Sequence, residues 1–268
     1  MCRCPAHDDR TPSLSVRPGN RRLLFHCFAG CDTDRVIREL RYRRLIEAEP
    51  PYSLRRGSSR SRQDQGNRAV ARRLWAEAGP LRGSPAEAYL AARALTLAAT
   101  DLRYHPRTPC GRRAEAIFRP ALLAAVRDDT GLVAVHRTFL DIHSSSISAM
   151  AVAKRALGPL GAGAVRLFPP AAGVLGWAEG IESALAATML TGIGCWATLG
   201  NERFARVMLP AGVRRLVLFL DADAAGRRAE RLALGALRGT GVEVEVRRAW
   251  PPGADWNDML VSARRHLR

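Results

Sequence analysis

Two stretches decide how this 268-residue chain is read: Val174-Leu-Gly-Trp-Ala-Glu179-Gly180-Ile181-Glu182 and Arg215-Leu-Val-Leu-Phe-Leu-Asp221-Ala-Asp223-Ala-Ala-Gly226. In each, a short apolar run stops at a carboxylate and a helical pattern follows. Such a run bounded by a turn suits a strand buried on both faces, and strands alternating with helices give a parallel α/β sheet. Residues 194–199 read as the strand between them, 181–190 as the helix after the first. Residues 242–246 (Val-Glu-Val-Glu-Val) alternate and belong nearer an edge.

Loops at the carboxyl ends of strands line the crevice of an open α/β sheet. Glu179, Asp221 and Asp223 are therefore expected to converge, with Asp255 or Asp258 of Asp255-Trp-Asn-Asp258 joining them. Carboxylates brought together either take up a proton or are neutralised by a cation, and hard oxygen donors in an open cleft suit Mg²⁺ or Mn²⁺. Such a cation clamps phosphoryl oxygens, as phosphoryl or nucleotidyl transfer requires. An isolated Asp-x-Asp marks a solvated loop or helix cap as readily; Glu179 on an earlier strand is what raises it. Gly180 and Gly226 are expected to let backbone approach a phosphate. Glu182, one turn past Glu179, reads either as an assisting acid or as a first-turn carboxylate on the helix dipole.

At the other end of the chain, Cys4-Pro-Ala-His7 precedes Cys27-Phe-Ala-Gly-Cys31 by 19 residues. Two close pairs of soft donors are the layout of a zinc ribbon, in which Cys4, His7, Cys27 and Cys31 complete a tetrahedron around a structural Zn²⁺. A hairpin joins them: residues 13–16 alternate, Pro18-Gly-Asn20 turns and residues 23–26 return. Asp32 then caps a helix through Leu40 with Val36, Ile37 and Leu40 on one face. So small a module cannot bury enough apolar surface alone, and metal supplies most of its folding free energy. Cys2 and His26 fall outside the ligand set, and Cys110 and Cys195 read as ordinary buried thiols.

The net charge of +17 makes a polyanion, nucleic acid first, the expected partner class. It is concentrated upstream, at +14 over residues 1–175 (29 basic, 15 acidic) against +3 over 176–268 (13 basic, 10 acidic). Lys154 is the only lysine. No apolar stretch of signal-peptide type follows Met1, and no run is long enough to span a bilayer, so a cytoplasmic protein is expected. Composition divides the chain into a zinc-binding segment at 1–47, a basic flexible linker at 48–66, a basic α+β region at 67–172 and an α/β domain at 173–268. In the third segment Ser84-Pro85-x-Glu87 is a capping box opening a helix over 86–94, and residues 122–140 form a hairpin turning at Asp128-Asp-Thr-Gly131 with Val133, Val135, Arg137 and Phe139 on one face. Arg137, Lys154, Arg155 and Arg166 stand just ahead of the acidic domain. They read either as holders of template phosphates or incoming nucleotide, or as a solvated basic face.

Glu179-Gly180 with Asp221-Ala-Asp223-x-x-Gly226 resembles the Toprim domain shared by DnaG-type primases, type IA and II topoisomerases and some nucleases. Residues 4–16 and 25–31 resemble the amino-terminal zinc-binding domain of those primases, which join both signatures in this order. The similarity is greatest to short Toprim primase-like proteins of phages, plasmids and integrated elements, whose Glu-Gly-Ile-Glu and Asp-Trp-Asn-Asp motifs recur at 179–182 and 255–258. It implies a Toprim Rossmann-like parallel sheet with an amino-terminal zinc ribbon and an α+β middle region. It also implies Mg-dependent synthesis of RNA primers from nucleoside triphosphates on single-stranded DNA, with Glu179, Asp221 and Asp223 catalytic. The second zinc pair has three intervening residues where bacterial primases of that type have two. No Gly-x4-Gly-Lys-Ser/Thr loop is present, so a separate replicative helicase is the expected partner for unwinding. Two other readings remain: a RecR-like module that binds DNA without catalysis, and a Toprim nuclease.

Overall fold

The alternating residues near the amino terminus pair as a hairpin. Strands β1 (Leu14–Pro18) and β2 (Leu23–Cys27) run antiparallel, with Leu14 opposite Cys27 and Val16 opposite Phe25. Leu14 and Cys27 turn inward onto Val36 and Leu40 of helix α1 (Thr33–Tyr42), and the Arg43 guanidinium donates to the Pro5 carbonyl (3.0 Å), tying the helix end to the first cysteine–histidine pair. The computed structural model describes residues 1–18, 23–43, 45, 53–111 and 116–266. Gly19 and Asn20 of the expected turn lie outside them. These residues divide into two compact units, Met1–Arg60 and Ser61–Arg268.

Helix α2 spans Ser53–Glu77, so the described part of the stretch expected as a flexible linker at 48–66 is helical. Its Arg and Gln residues are good helix formers, and an apolar stripe downstream at Ala71, Leu74, Trp75 and Ala78 packs on the sheet and carries the helix back through the polar stretch. Helix α3 (Pro85–Ala92) begins at the expected capping box: Ser84 Oγ accepts from the Glu87 N–H (3.3 Å), while the Glu87 carboxylate reaches past Ser84 to the Gly83 N–H (2.6 Å).

The remaining elements are β3 (Leu102–Cys110), β4 (Ile117–Asp128), β5 (Gly131–Asp141), β6 (Ser146–Ile147), β7 (Lys154–Leu157), β8 (Ala164–Val165), β9 (Val174–Ala178), α4 (Ile181–Thr191), β10 (Cys195–Ala197), β11 (Arg215–Leu220), α5 (Ala224–Leu237), β12 (Glu243–Arg248) and α6 (Trp256–His266). All ten strands join one sheet of order β12-β11-β9-β10-β8-β4-β5-β6, with β3 on β4 and β7 on β5. Strands β12, β11, β9 and β10 are parallel, and β8 pairs antiparallel with both β10 and β4. The α+β region and the α/β region therefore share a sheet, through a two-residue strand too short to leave a periodic signal.

Alternation within each strand assigns the layers. Gly176 and Ala178 of β9, Val217 and Phe219 of β11, and Leu122, Ala124 and Val126 of β4 face one continuous core under α3, α4 and α6. Leu175, Trp177, Leu216 and Leu218 face the other side, covered by α5 and Phe204, while Ala121, Leu123 and Ala125 face α2. The expected β5 face is broken at one end. Val126 pairs with Ala134 but Arg127 with Leu132, so Val133 is the extra residue of a bulge and packs on the opposite side from Val135 and Phe139. Strand β12 lies at the sheet edge, as its alternation implied.

Candidate metal centre and carboxylate cleft

In the first unit the donor atoms of Cys4, His7, Cys27 and Cys31 all lie within 4.8 Å of one another. Two turns at the hairpin base supply them, with Cys4 and Cys27 buried and His7 and Cys31 partly so. Burial pushes the Cys4 thiol up to about 11. Burial also opposes ionisation of Cys27, yet the N–H groups of Cys31 and Ala29 and the Ser13 hydroxyl outweigh it and bring that thiol down to about 6. A metal-free cluster thus shares its protons unevenly, and a divalent cation is what allows all three sulfurs to be thiolates. Three sulfurs and one imidazole are a donor set that fits Zn²⁺.

Asp9, which the spacing argument did not single out, fixes the geometry. Its Oδ2 accepts from the N–H groups of Cys4 (2.5 Å) and Ser13 (3.1 Å) and from Ser13 Oγ (2.8 Å), and Oδ1 lies 3.5 Å from His7 Nε2. His7 Nδ1 is then the nitrogen turned to the cluster, 3.1 Å from Cys31 Sγ. A carboxylate behind a ligating imidazole sets its tautomer and direction. Cys2 is exposed and bridges to Leu14, and His26 is exposed against Phe28. Cys110 and Cys195 are buried, and burial pushes the Cys195 thiol up to about 12.

In the second unit a cleft of about 680 Å³ is lined by Glu179, Gly180, Glu182, Asp221, Asp255 and Asp258, with Arg93, His136, Lys154 and Asn257 among the other walls. Glu179 follows β9 and Asp221 follows β11. Burial, then Glu179, Asp255, Asp223 and Asp258 in turn, pushes Asp221 up to about 7. Burial and Asp223 raise Glu179, opposed by a hydrogen bond from Asn201 Nδ2 (2.7 Å) and by Lys154. Asn201 had no signal in the sequence, because it reaches Glu179 from the 3-10 turn over Asn201–Ala205 that follows β10. Asp223 lies beside this group as the cap of α5, accepting the Gly226 N–H (2.7 Å). Asp255 and Asp258 cap α6 reciprocally, Asp258 N–H to Asp255 Oδ1 (2.8 Å) and Asp255 N–H to Asp258 Oδ2 (3.1 Å). Hard oxygen donors brought together in this way suit a hard divalent cation.

The two glycines separate. A Cβ on Gly226 would stand 2.2 Å from the Asp221 carbonyl oxygen, so this glycine allows α5 to begin directly against the Asp221 backbone. A Cβ on Gly180 would meet nothing closer than 3.7 Å, so nothing crowds that position.

The basic residues also separate. Arg137 is only 8% exposed, and its guanidinium donates to the carbonyls of Pro109 (2.6 Å), Ala156 (3.3 Å) and Arg155 (3.4 Å). It is spent on joining strands and is not presented to phosphate. Arg166 pairs with Asp129 (2.8 Å) and lies over Trp196. Arg155 is exposed, bonded to the Val152 carbonyl (3.2 Å). Lys154 lines the cleft but pairs with Glu182 (2.8 Å). Glu182 is accordingly neither a simple helix-dipole residue nor a free acid, since it is buried and also accepts from Tyr89 Oη (2.6 Å).

Residues 174–265 match the family model of the Toprim domain, and residues 65–167 match that of a domain of unknown function, DUF7146. No protein of curated function matches the chain. Among solved structures, a DNA primase domain from Pseudomonas aeruginosa aligns with a TM-score of 0.51 at 16% identity over 75% of this chain and 77% of that one. The DnaG catalytic core aligns with a TM-score of 0.50 at 15% identity over 75% and 74%. The zinc-binding and RNA polymerase domains of the Aquifex aeolicus primase align with a TM-score of 0.50 at 17% identity over 99% and 76%. The fold is thus that of primase zinc-binding and catalytic cores, with a Toprim domain that carries the acids of the cleft. Among the described residues no helix is long and apolar enough to cross a membrane.

Proposed function

We propose that this protein is a primase-like nucleotidyltransferase making short RNA primers on single-stranded DNA. The observation that supports it is the convergence of Glu179 and Asp221 with Asp255, Asp258 and the adjacent Asp223 at the carboxyl edge of a parallel sheet, where burial and mutual repulsion push Asp221 up to about 7. Asp221, Asp223 and Asp255, with Asp258 as substitute, are the residues that would hold Mg²⁺ or Mn²⁺. When bound, the cation neutralises the triphosphate and stabilises charge on the attacking and leaving oxygens. Glu179, oriented by Asn201, is placed to position the attacking hydroxyl or the cation near it. Arg93 and Lys154 bring positive charge to the same cleft for the nucleotide's phosphates, and exposed Arg155 is the remaining group of the expected set suited to template phosphate. Zn²⁺ at Cys4, His7, Cys27 and Cys31 is structural, since the donor set leaves no open position.

Labelled ribonucleotides with single-stranded DNA and Mg²⁺ or Mn²⁺ test this. Short RNA without strand scission is expected, with Asp221→Asn and Asp223→Asn each lowering the rate by about a hundredfold or more and DNA binding retained. Scission of the DNA would make the chain a nuclease. Binding without synthesis or scission would make it a RecR-like module.

A further inference from the structure

Forty-one of the 42 Lys and Arg residues are arginine, and the one lysine stands in the acidic cleft. Only Arg93 and Lys154 supply basic charge to that wall among the described residues. An ammonium is a compact point charge with three donors, whereas a guanidinium is a wide planar fork. The carboxylate oxygen that Lys154 meets is shared. Its Nζ lies 2.8 Å from Glu182 Oε1, and the same oxygen accepts Tyr89 Oη at 2.6 Å. Glu182 is on α4, Tyr89 on α3 and Lys154 on β7, so the contact joins three elements across the shared core. Tyr89 is fully buried and Glu182 nearly so, while the lysine side chain is 42% exposed toward the cleft. Burial opposes the charge on Glu182, and the Lys154 ammonium outweighs it and holds that carboxyl below its usual range. His136, also lining the cleft, is pushed down to about 4 by burial, which the Glu182 charge opposes and the Lys154 and Arg137 charges reinforce.

We infer that Glu182 and Tyr89 form a bracket that holds the Lys154 ammonium at the cleft for the anionic phosphates of a nucleoside triphosphate, which makes Glu182 a positioning residue and not a ligand of the divalent cation. The use of the bracket rests on the nucleotidyltransferase reading; its existence does not. Oε1 of Glu182 already serves a hydroxyl and an ammonium, which commits this buried carboxylate to Lys154. Removing its charge should therefore leave cation binding alone and loosen the lysine.

Because Lys154 is the only lysine, acylation of its amine, read by mass spectrometry of the one lysine peptide, reports on that side chain alone. The full chain would be compared with Glu182→Gln, Tyr89→Phe and Asp221→Asn. The amide introduced by Glu182→Gln still accepts the tyrosine hydroxyl, and Tyr89→Phe removes a single oxygen, so the two variants strain the fold differently. Faster acylation is expected in both, with unchanged Mn²⁺ binding in the absence of nucleotide, which Asp221→Asn weakens. In primer synthesis KM for the nucleotide should rise by about tenfold in Glu182→Gln, as for a lost charged hydrogen bond, with kcat and the Mn²⁺ requirement little changed. Unaltered acylation in both variants would overturn the bracket. Mn²⁺ binding weakened in Glu182→Gln as in Asp221→Asn would make Glu182 a cation ligand. Should the wild type synthesise nothing, the nucleotidyltransferase reading falls while the acylation and Mn²⁺ results still decide the bracket.

Discussion

The Cys4, His7, Cys27 and Cys31 cluster gathers its donor atoms to within 4.8 Å in a unit whose described core is little more than Ala6, Leu14, Val36 and Leu40 beside two of the cysteines themselves. The carboxylates of the second unit instead line a cleft of about 680 Å³ on a sheet with apolar layers on both faces. In the first case the site is part of the core. In the second the core exists without the site, and its packing free energy holds mutually repelling groups in proximity. A fold with its own core can carry an unfavourable constellation; a metal-dependent knuckle cannot.

Removal of zinc should break this comparison most sharply. Chelation, or Cys27→Ser, is expected to unfold residues 1–47 while 61–268 stay folded, because structural Zn²⁺ contributes about 10–16 kcal/mol to such modules. Metal analysis should find one Zn²⁺ per chain in reduced wild type, and limited proteolysis should map the unfolding. Resistance of both units to chelation would remove the distinction.

Gly226→Ala acts on the second site only. Its Cβ would meet the Asp221 carbonyl oxygen at 2.2 Å, and neither backbone can yield cheaply. A loss of about 1–3 kcal/mol is expected, with the Asp221 loop displaced, primer synthesis impaired and zinc content unchanged. Denaturant unfolding checks the first and metal analysis the last.

A further effect is one of pH. Asp221 is pushed up to about 7 in the folded chain from an ordinary value near 4. A folded-state pKa above the unfolded one gives stability that is fully present below the unfolded value and lost as pH rises through the folded one. In the absence of divalent cation, Tm of the second unit should therefore decline between about pH 4 and 7, and Mg²⁺ or Asp221→Asn should flatten the decline. A slope identical in wild type and Asp221→Asn would assign it to other groups.

The strands ending at Glu179 and Asp221 are legible because a doubly buried strand is a continuous apolar run and its carboxyl end is punctuated by charge. Strand β9 spans Val174–Ala178 and β11 Arg215–Leu220, as the runs imply. The partners Asn201, Tyr89 and Asp9 are harder to read. Asn201 and Tyr89 come from elements 22 and 93 residues away from the carboxylates they serve, and no local periodicity marks them. Asp9 is close in sequence, but its role shows only once the chain turns back on its own N–H groups.

Sequence alone determined the layout of the cysteine and histidine pairs, the α/β alternation and the edges at which acids collect, since these follow from spacing and period along the chain. Tertiary structure decided that the middle region shares one sheet with the acidic half through two-residue β8, that Arg137 is consumed by carbonyls, and that Lys154 belongs to Glu182. The physical reason is the same in all three. A charged side chain's role is set by whichever partners survive the removal of water around it, and those partners are brought together by packing between elements and not by neighbours in sequence.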